Sequence, residues 1–519
     1  MFFNDLRLSV KPLAGPIPAW HARVEIARLP DVCRAAREQG GRLAALWGAD
    51  QRDQGEGFAL HLVLAHADGA LWLTCGLDAA RPAIPDLSQW FACADRQQRT
   101  LHDLLGIALE TGTDPADRRP WLRHGAWSET EFPLRRDAPS MSPAAPPGED
   151  PYAFVPVEGE GVHEIPVGPV HAGIIEPGHF RFSIVGEKVL RLEQRLGYTH
   201  KGIDRRFSTM NLKEGMRLAA RVSGDSTVAY SWAYAMAVET MTGSTPPARS
   251  LWLRALYLER ERLANHLGDL GYLGNDGGLA FGLAQFMRLK EDLLRQNARL
   301  TGHRYLMDAI IPGGVMRDIG RDALEEMPAE CDVLAAEVRT LKDIYDDHAG
   351  LQDRFMTCGI LEANTARNLG VVGLAARASG EVMDARCAPG LPPYDLLDVK
   401  PVTARSGDVA ARVAVRFGEI FESLRLIGAI VDRIAPGGIC IELPLPPPGA
   451  IGLGWVEGWR GEVMVAIEAG ENGRIRRAHA HDPSWQNWPA LEHAVIGNIV
   501  PDFPLINKSF NLSYSGSDL

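Results

Sequence analysis

Two runs of apolar residues, each repeating at alternating intervals of three and four, constrain this 519-residue chain more than any other feature. Leu324, Met327, Cys331, Leu334, Val338, Leu341 and Tyr345 make the first, and Val413, Phe417, Ile420, Leu424, Ile427, Val431 and Ile434 the second. Only an α-helix brings residues at that spacing onto one side. Each run reads as a continuous stripe, and the two helices are expected to pack together at the centre of a bundle. A third stripe, Trp252, Leu256, Leu263 and Leu267, follows Pro246-Pro247, which marks a helix start. The stripes specify a core and carry no chemistry.

Elsewhere the period drops to two. HFRFSIVGEKVLRLEQRL (179–196) alternates around Gly186-Glu187, and FALHLVLAHADGALWLTCGLD (58–78) reads as two strands joined at Ala67 to Gly69. Both are expected to be β-hairpins. Asp137 to Pro151, rich in Pro, Ser and Ala and without periodicity, reads as an extended linker. The expected fold class is therefore α+β: a small α+β domain over 1–136, the linker over 137–151, and a large domain over 152–519 with an N-terminal hairpin and a long-helix bundle.

The formal charge of −12, with no basic cluster, argues against nucleic acid as a partner. No stretch approaches the roughly 18 apolar residues of a membrane span, and the N-terminus lacks the basic start and apolar core of a signal peptide. The seven cysteines (Cys33, Cys75, Cys93, Cys331, Cys358, Cys387, Cys440) fall at no metal or redox spacing and read as buried, reduced thiols. No Gly-x-Gly-x-x-Gly fingerprint follows a strand, so no dinucleotide site is expected on this chain. Ser223-Gly224-Asp225-Ser226 lacks the elbow and the base that a serine hydrolase needs.

Several segments resemble one family. RQQRTLHDLLGIALETGTDPADRRPWL (96–122) is similar to the signature of the small hydrophilic subunit of NADH-quinone oxidoreductase, with Asp103, Gly106, Asp117, Arg118 and Arg119 in place; Gln98 and Thr100 stand where that family usually has glutamates. GPVHAGIIEPGHFRF (168–182) resembles both the quinone-site subunit of respiratory complex I and the large subunits of the group 4 membrane-bound [NiFe] hydrogenases. Pro312 to Val315, Ala376 to Gly380, Gly407 to Arg412 and Glu457 to Glu462 follow in the family's order. In the hydrogenases two Cys-x-x-Cys pairs hold the metal centre. Here RVSGDSTVAYSWAYAMAVE (221–239) and the C-terminal NIVPDFPLINKSFNLSYSGSDL (498–519) put Ser223, Ser226, Ser513 and Gly516 at those positions. The resemblance therefore implies a hydrogenase scaffold with no [NiFe] site, because neutral hydroxyls do not replace thiolates for nickel or low-spin iron. With the chain stopping at Leu519, the C-terminus is expected to persist uncut.

The same resemblance nominates site residues. His171 matches the histidine that donates to a quinone headgroup, a role that suits an imidazole titrating near neutrality; the residues alone fit equally a structural histidine in a Gly-rich loop. Asp276 matches the acidic partner of that histidine, although Asn275-Asp276-Gly277-Gly278 also reads as a plain turn. Gly224 stands where the quinone-sharing tyrosine is found, and Arg377 lies in a segment near the metal pocket, where it serves either a surface carboxylate or an anionic or quinone-like ligand. The implied function is that of an oxidoreductase subunit in a membrane-associated, complex I-like assembly, NAD(P)H- or formate-linked and coupled to quinone. The alternatives are a non-catalytic coupling scaffold and, third, a large subunit of the hydrogenase-4 or formate hydrogenlyase type. NAD and [4Fe-4S] clusters are expected only on partners, namely a small iron–sulfur subunit and proton- or sodium-translocating membrane subunits. The expected place is peripheral, on the cytoplasmic side of the cell membrane.

Overall fold

The computed structural model describes residues 6–110, 117–138, 152–171 and 175–519. Of the expected linker only Asp137 and Ala138 fall among them. The N-terminal part forms a sheet in the order β1-β2-β5-β4-β3 from β1 (Lys11–Pro12), β2 (Ala19–Arg23), β3 (Arg42–Asp50), β4 (Phe58–His66) and β5 (Gly69–Leu77). Within this sheet β2 and β5 pair in parallel and the other neighbours antiparallel. The β4–β5 hairpin closes where the alternation places it. Helix α1 (Leu29–Glu38) lies between β2 and β3, and α2 (Ala94–Leu105) lies between the strands of a short pair, β6 (Ala83–Ile84) and β7 (Ala108–Leu109).

Period two explains why this sheet is buried on both faces. Leu60, Leu62 and Leu64 of β4 pack with Leu29, Val32, Cys33 and Ala36 of α1, whereas Val63 and Ala65 point the other way and join the core of the large domain with Trp47 and Trp72. The two halves are docked, not merely tethered. Trp47 stacks between His61 and His479 at centroid distances of 5.3 and 5.1 Å. Around it Arg96 pairs with Glu492 at 2.7 Å, Arg476 with Asp53 at 2.7 Å, and Arg42 with Glu462.

The large domain begins with the antiparallel sheet β10-β9-β8, built from β8 (Val162–Val167), β9 (His179–Val185) and β10 (Lys188–Arg195), with the expected hairpin turn at Gly186-Glu187. Then come α3 (Ile203–Ser208), α4 (Leu212–Ala219), α5 (Thr227–Thr242), α6 (Ala248–Asp276), α7 (Ala280–Thr301), the pair β11 (Ile310–Ile311) and β12 (Gly314–Val315), α8 (Arg321–Asp347), α9 (Ala349–Phe355), α10 (Ala363–Leu369), α11 (Gly373–Ala378) and α12 (Val409–Val431). A second antiparallel sheet, β13 (Ile451–Glu457), β14 (Glu462–Ala469) and β15 (Ile475–His481), precedes α13 (Ser484–Ala494) and α14 (Phe503–Phe510).

The first two stripes lie on α8 and α12, which do pack on each other, but the helix at the centre is α6, in contact with α5, α7, α12 and α14. Cys331 and Leu334 of α8 are only half-buried, and Ile434 lies beyond the end of α12. Sequence pattern misplaces the centre because α6 buries Arg254, Glu259, Arg262 and His266 in ion pairs, so a core helix looks amphipathic. Helix α5 is buried nearly throughout and presents Ala233 and Ala237 to β13. Gly452 and Gly454 make that approach possible, since a side chain at either would strike the carbonyl of Ala237 or Ala233. One cysteine expectation needs correction: Cys387 and Cys440 are exposed, the first in a turn and the second in an isolated β-bridge to Gly314, both outside the helices and main sheets.

Candidate functional site

The four positions singled out by resemblance come together at the entry of α5. Ser226 is the residue before α5, Ser223 lies in the turn ahead of it, and Ser513 and Gly516 lie in the segment after α14. Although 290 residues apart, the Ser223 and Ser513 hydroxyls meet at 2.9 Å. The Ser513 oxygen also accepts the Gly516 N–H at 2.9 Å, and the Ser513 N–H donates to the Ser484 hydroxyl at 2.9 Å. Trp488 Nε1 donates to the Ser513 carbonyl at 3.1 Å. All three serines are 3% exposed, so the cluster is a closed, internally satisfied knot.

Its electrostatics are set by Asp225 and Arg460. Ser223 donates to Asp225 Oδ1 at 2.9 Å, and the Arg460 guanidinium grips both carboxylate oxygens while donating to the Ser226 hydroxyl at 3.3 Å. Burial works against the Asp225 charge, but Arg460 and the Ser223 hydroxyl outweigh it and hold the carboxyl at about 2. Arg460 stacks on Trp459 at 4.0 Å, and Trp459 Nε1 and Asn265 Nδ2 both donate to the Asp225 carbonyl. The loop ahead of α5 is thus clamped from β13–β14 and from α6.

Gly516 is tightly enclosed. A Cβ there would lie 2.5 Å from Asp482 Oδ2, and that same oxygen accepts the Tyr230 hydroxyl at 2.8 Å. Tyr230 and Asp482 are both fully buried. Three hydroxyls and a glycine are a hard, neutral donor set, and a carboxylate fills the space that a side chain at 516 would need. The residues present do not fit a nickel–iron centre. Burial, with Asp482 alongside, pushes the Tyr230 phenol well above its usual range, so it remains a proton donor.

His171 lies in the loop between β8 and β9. Its Nε2 is 2.8 Å from the Gly178 carbonyl, its ring is 5.8 Å from that of Phe180, and Gly178 backs directly onto the Tyr514 ring. Glu176 of the same loop accepts the Ser515 N–H at 3.2 Å. The loop therefore lies against the segment that carries Ser513. Asp276 ends α6 and is half-buried, with burial raising its pKa and Asn275, then Lys508, opposing that rise. Among the described residues no hydrogen bond or ion pair joins His171 to Asp276. Gly224 is exposed, with open space where a Cβ would stand. Arg377 is fully buried and held by Glu419 at 2.8 Å and Glu457 at 2.9 Å, inside the ion-pair network that stiffens α11, α12 and β13.

Reading the chain alone misses Asp482, Asp225 and Asp269 as site residues. Arg460 was within reach, since it stands in the Glu457-to-Glu462 motif. Asp269 accepts from Arg416 at 3.0 Å and from Asn511 at 2.7 Å, and Lys508 approaches it at 3.3 Å. Nothing in the local pattern marks Asp482.

Comparison with known proteins completes the picture. The family description "Respiratory-chain NADH dehydrogenase, 30 Kd subunit" matches residues 22–144, and "Respiratory-chain NADH dehydrogenase, 49 Kd subunit" matches 276–447. Formate hydrogenlyase subunit 5 of Escherichia coli (strain K12) is 31% identical over 503 residues, covering 95% of this chain and 88% of that one. The chain belongs to the formate hydrogenlyase and complex I large-subunit family. A second member, hydrogenase-4 component G of the same organism, is 30% identical over 503 residues, covering 95% of this chain and 87% of its own. A solved structure of the membrane-bound sulfane sulfur reductase, an archaeal respiratory membrane complex, superposes with a TM-score of 0.65 at 24% identity, covering 70% of this chain and all of the other, and shows a shared fold. As a member of this family the chain carries the 30 kDa-like and 49 kDa-like parts in one polypeptide. The 49 kDa match starts at Asp276 and ends before Ser513, so the assignment of the four substituted positions rests on the quoted motifs and on their convergence in space. No described helix is long and apolar enough to cross a membrane.

Proposed function

We propose that this chain is the peripheral large subunit of a membrane-associated respiratory oxidoreductase that works without a [NiFe] centre. The observation that carries the reading is the serine knot: the positions matched to the metal ligands converge, and they do so as a hydrogen-bonded, buried cluster with Asp482 against Gly516. The relatives are named for formate, hydrogen and NADH–quinone chemistry, which supports electron delivery from a small iron–sulfur subunit and coupling to ion-translocating membrane partners on the cytoplasmic side. In this reading His171, whose loop packs on Tyr514 through Gly178, is the proton donor to a quinone-type acceptor, and Gly224 lies on the acceptor side. Asp276 is the acidic group of the same site in this reading, through the polar face of α6.

A second reading, a coupling scaffold with redox chemistry elsewhere, is favoured by Gly224, which offers no phenol. Gly224→Tyr separates the two. Nothing lies within 4 Å of a Cβ at this exposed position, so the substitution meets no clash at its root, and in the intact membrane complex the variant should raise acceptor reduction if the site is redox-active. Assays with quinones supplied with NADH or formate provide the test; activity absent in both forms favours the scaffold.

A further inference from the structure

One face of α6 carries Asn265, Asp269, Tyr272 and Asp276 at intervals of four, three and four, leading away from the serine knot. Opposite it stand Lys290 of α7 and Lys508 of α14. Arg460 is taken up by Asp225 and Arg416 by Asp269, while Lys508 shares Asp269 and lies over Tyr272 at 4.9 Å. Lys290 is different. Its ammonium lies against Gly268, where a Cβ would be only 2.7 Å from Nζ, and it makes no hydrogen bond or ion pair among the described residues. A glycine in the middle of a 29-residue helix is unfavourable by itself, so the gap it leaves needs a packing reason. That reason is the ammonium. Burial lowers the Lys290 pKa, with Asp269 and Asp225 only partly opposing it.

We propose that Lys290, seated on Gly268 and flanked by Lys508, forms a recess that binds a small monoanion of the carboxylate class beside the serine knot. A half-buried ammonium with three unused N–H donors lacks an acceptor, and a carboxylate supplies two oxygens and the missing charge. Asp225 and Asp269 on either side disfavour a dianion. The recess deepens the functional reading by naming a ligand class for the same site, and it rests on that reading only in assigning the anion to the acceptor side.

Binding is tested without turnover. Isothermal titration of the full-length chain with sodium formate, and separately with inorganic phosphate at constant ionic strength, should show saturable one-site binding of formate and weaker binding of phosphate. Lys290→Met should weaken formate at least about tenfold, while Lys290→Arg retains it. Gly268→Ala, which keeps the charge but displaces the ammonium, should act like Lys290→Met and covers the case in which the latter fails to fold. Absence of saturable formate binding by the unaltered chain, or binding by Lys290→Met and Gly268→Ala as tight as that of the unaltered chain, overturns the recess. Formate binding that persists in a complex unable to reduce any acceptor overturns the redox reading and supports the recess.

Discussion

At Gly516 a single hydrogen atom decides what the site can hold. Any Cβ there meets the Asp482 carboxylate, which Tyr230 and the Ser484 N–H already fix in place. Gly516→Ala should therefore destabilise the fold by about 1–3 kcal/mol, the usual range for overpacking. In combination with Asp482→Ala the two effects should be clearly non-additive, as a urea double-mutant cycle will show. Additive effects would mean that the two residues do not share the space. Arg460→Met is expected to cost about 1–3 kcal/mol, toward the low end because Asp225 is partly solvated. Asp225 has a depressed pKa, so its contribution is present above about pH 4 and is lost as pH falls toward 2; removal of Arg460 should abolish that acid-labile part. Unfolding curves of the two proteins between pH 2 and 5 provide the check. Among these residues the chain itself disclosed the serines and glycine through motif position, whereas Asp482 stayed invisible, since a carboxylate ahead of a Pro-Ser pair reads as an ordinary helix start.

Among elements, the contact between the N-terminal sheet and β15 brings pH sensitivity through two buried histidines. Burial lowers both His61 and His481 to about 3. The unfolded chain binds protons on these rings below about pH 6.5 and the folded one does not, so stability should fall as pH drops from 6.5 toward 3. The loss is at most about 1.4 kcal/mol per pH unit for each ring. His481→Gln should flatten the slope; an unchanged slope would locate the acid sensitivity elsewhere. The close approach of α5 to β13 gives a second element-scale test. Gly454→Ala should cost several kcal/mol in the same denaturation assay, because the methyl meets backbone rather than a movable side chain. The hairpins and the α8 and α12 stripes were legible because periodicity records exposure on one side. The central role of α6 was not, because periodicity takes charged residues as solvated, and in α6 they are buried in pairs with Glu239, Glu259 and Glu419. The convergence of Ser223 with Ser513 was legible only through resemblance, as no local signal links positions so far apart.

For the whole molecule, two parts matched to separate respiratory subunits are joined through shared core and ion pairs, with the serine knot buried in the larger one and, in the proposed reading, a metal site without its ligands. That arrangement makes the metal content of the assembled complex decisive. The account predicts that the complex, extracted in mild detergent with its iron–sulfur partner, carries cluster iron but no stoichiometric nickel by elemental analysis, and neither makes nor consumes hydrogen. One nickel per large subunit, with hydrogen uptake, would contradict the account at its centre.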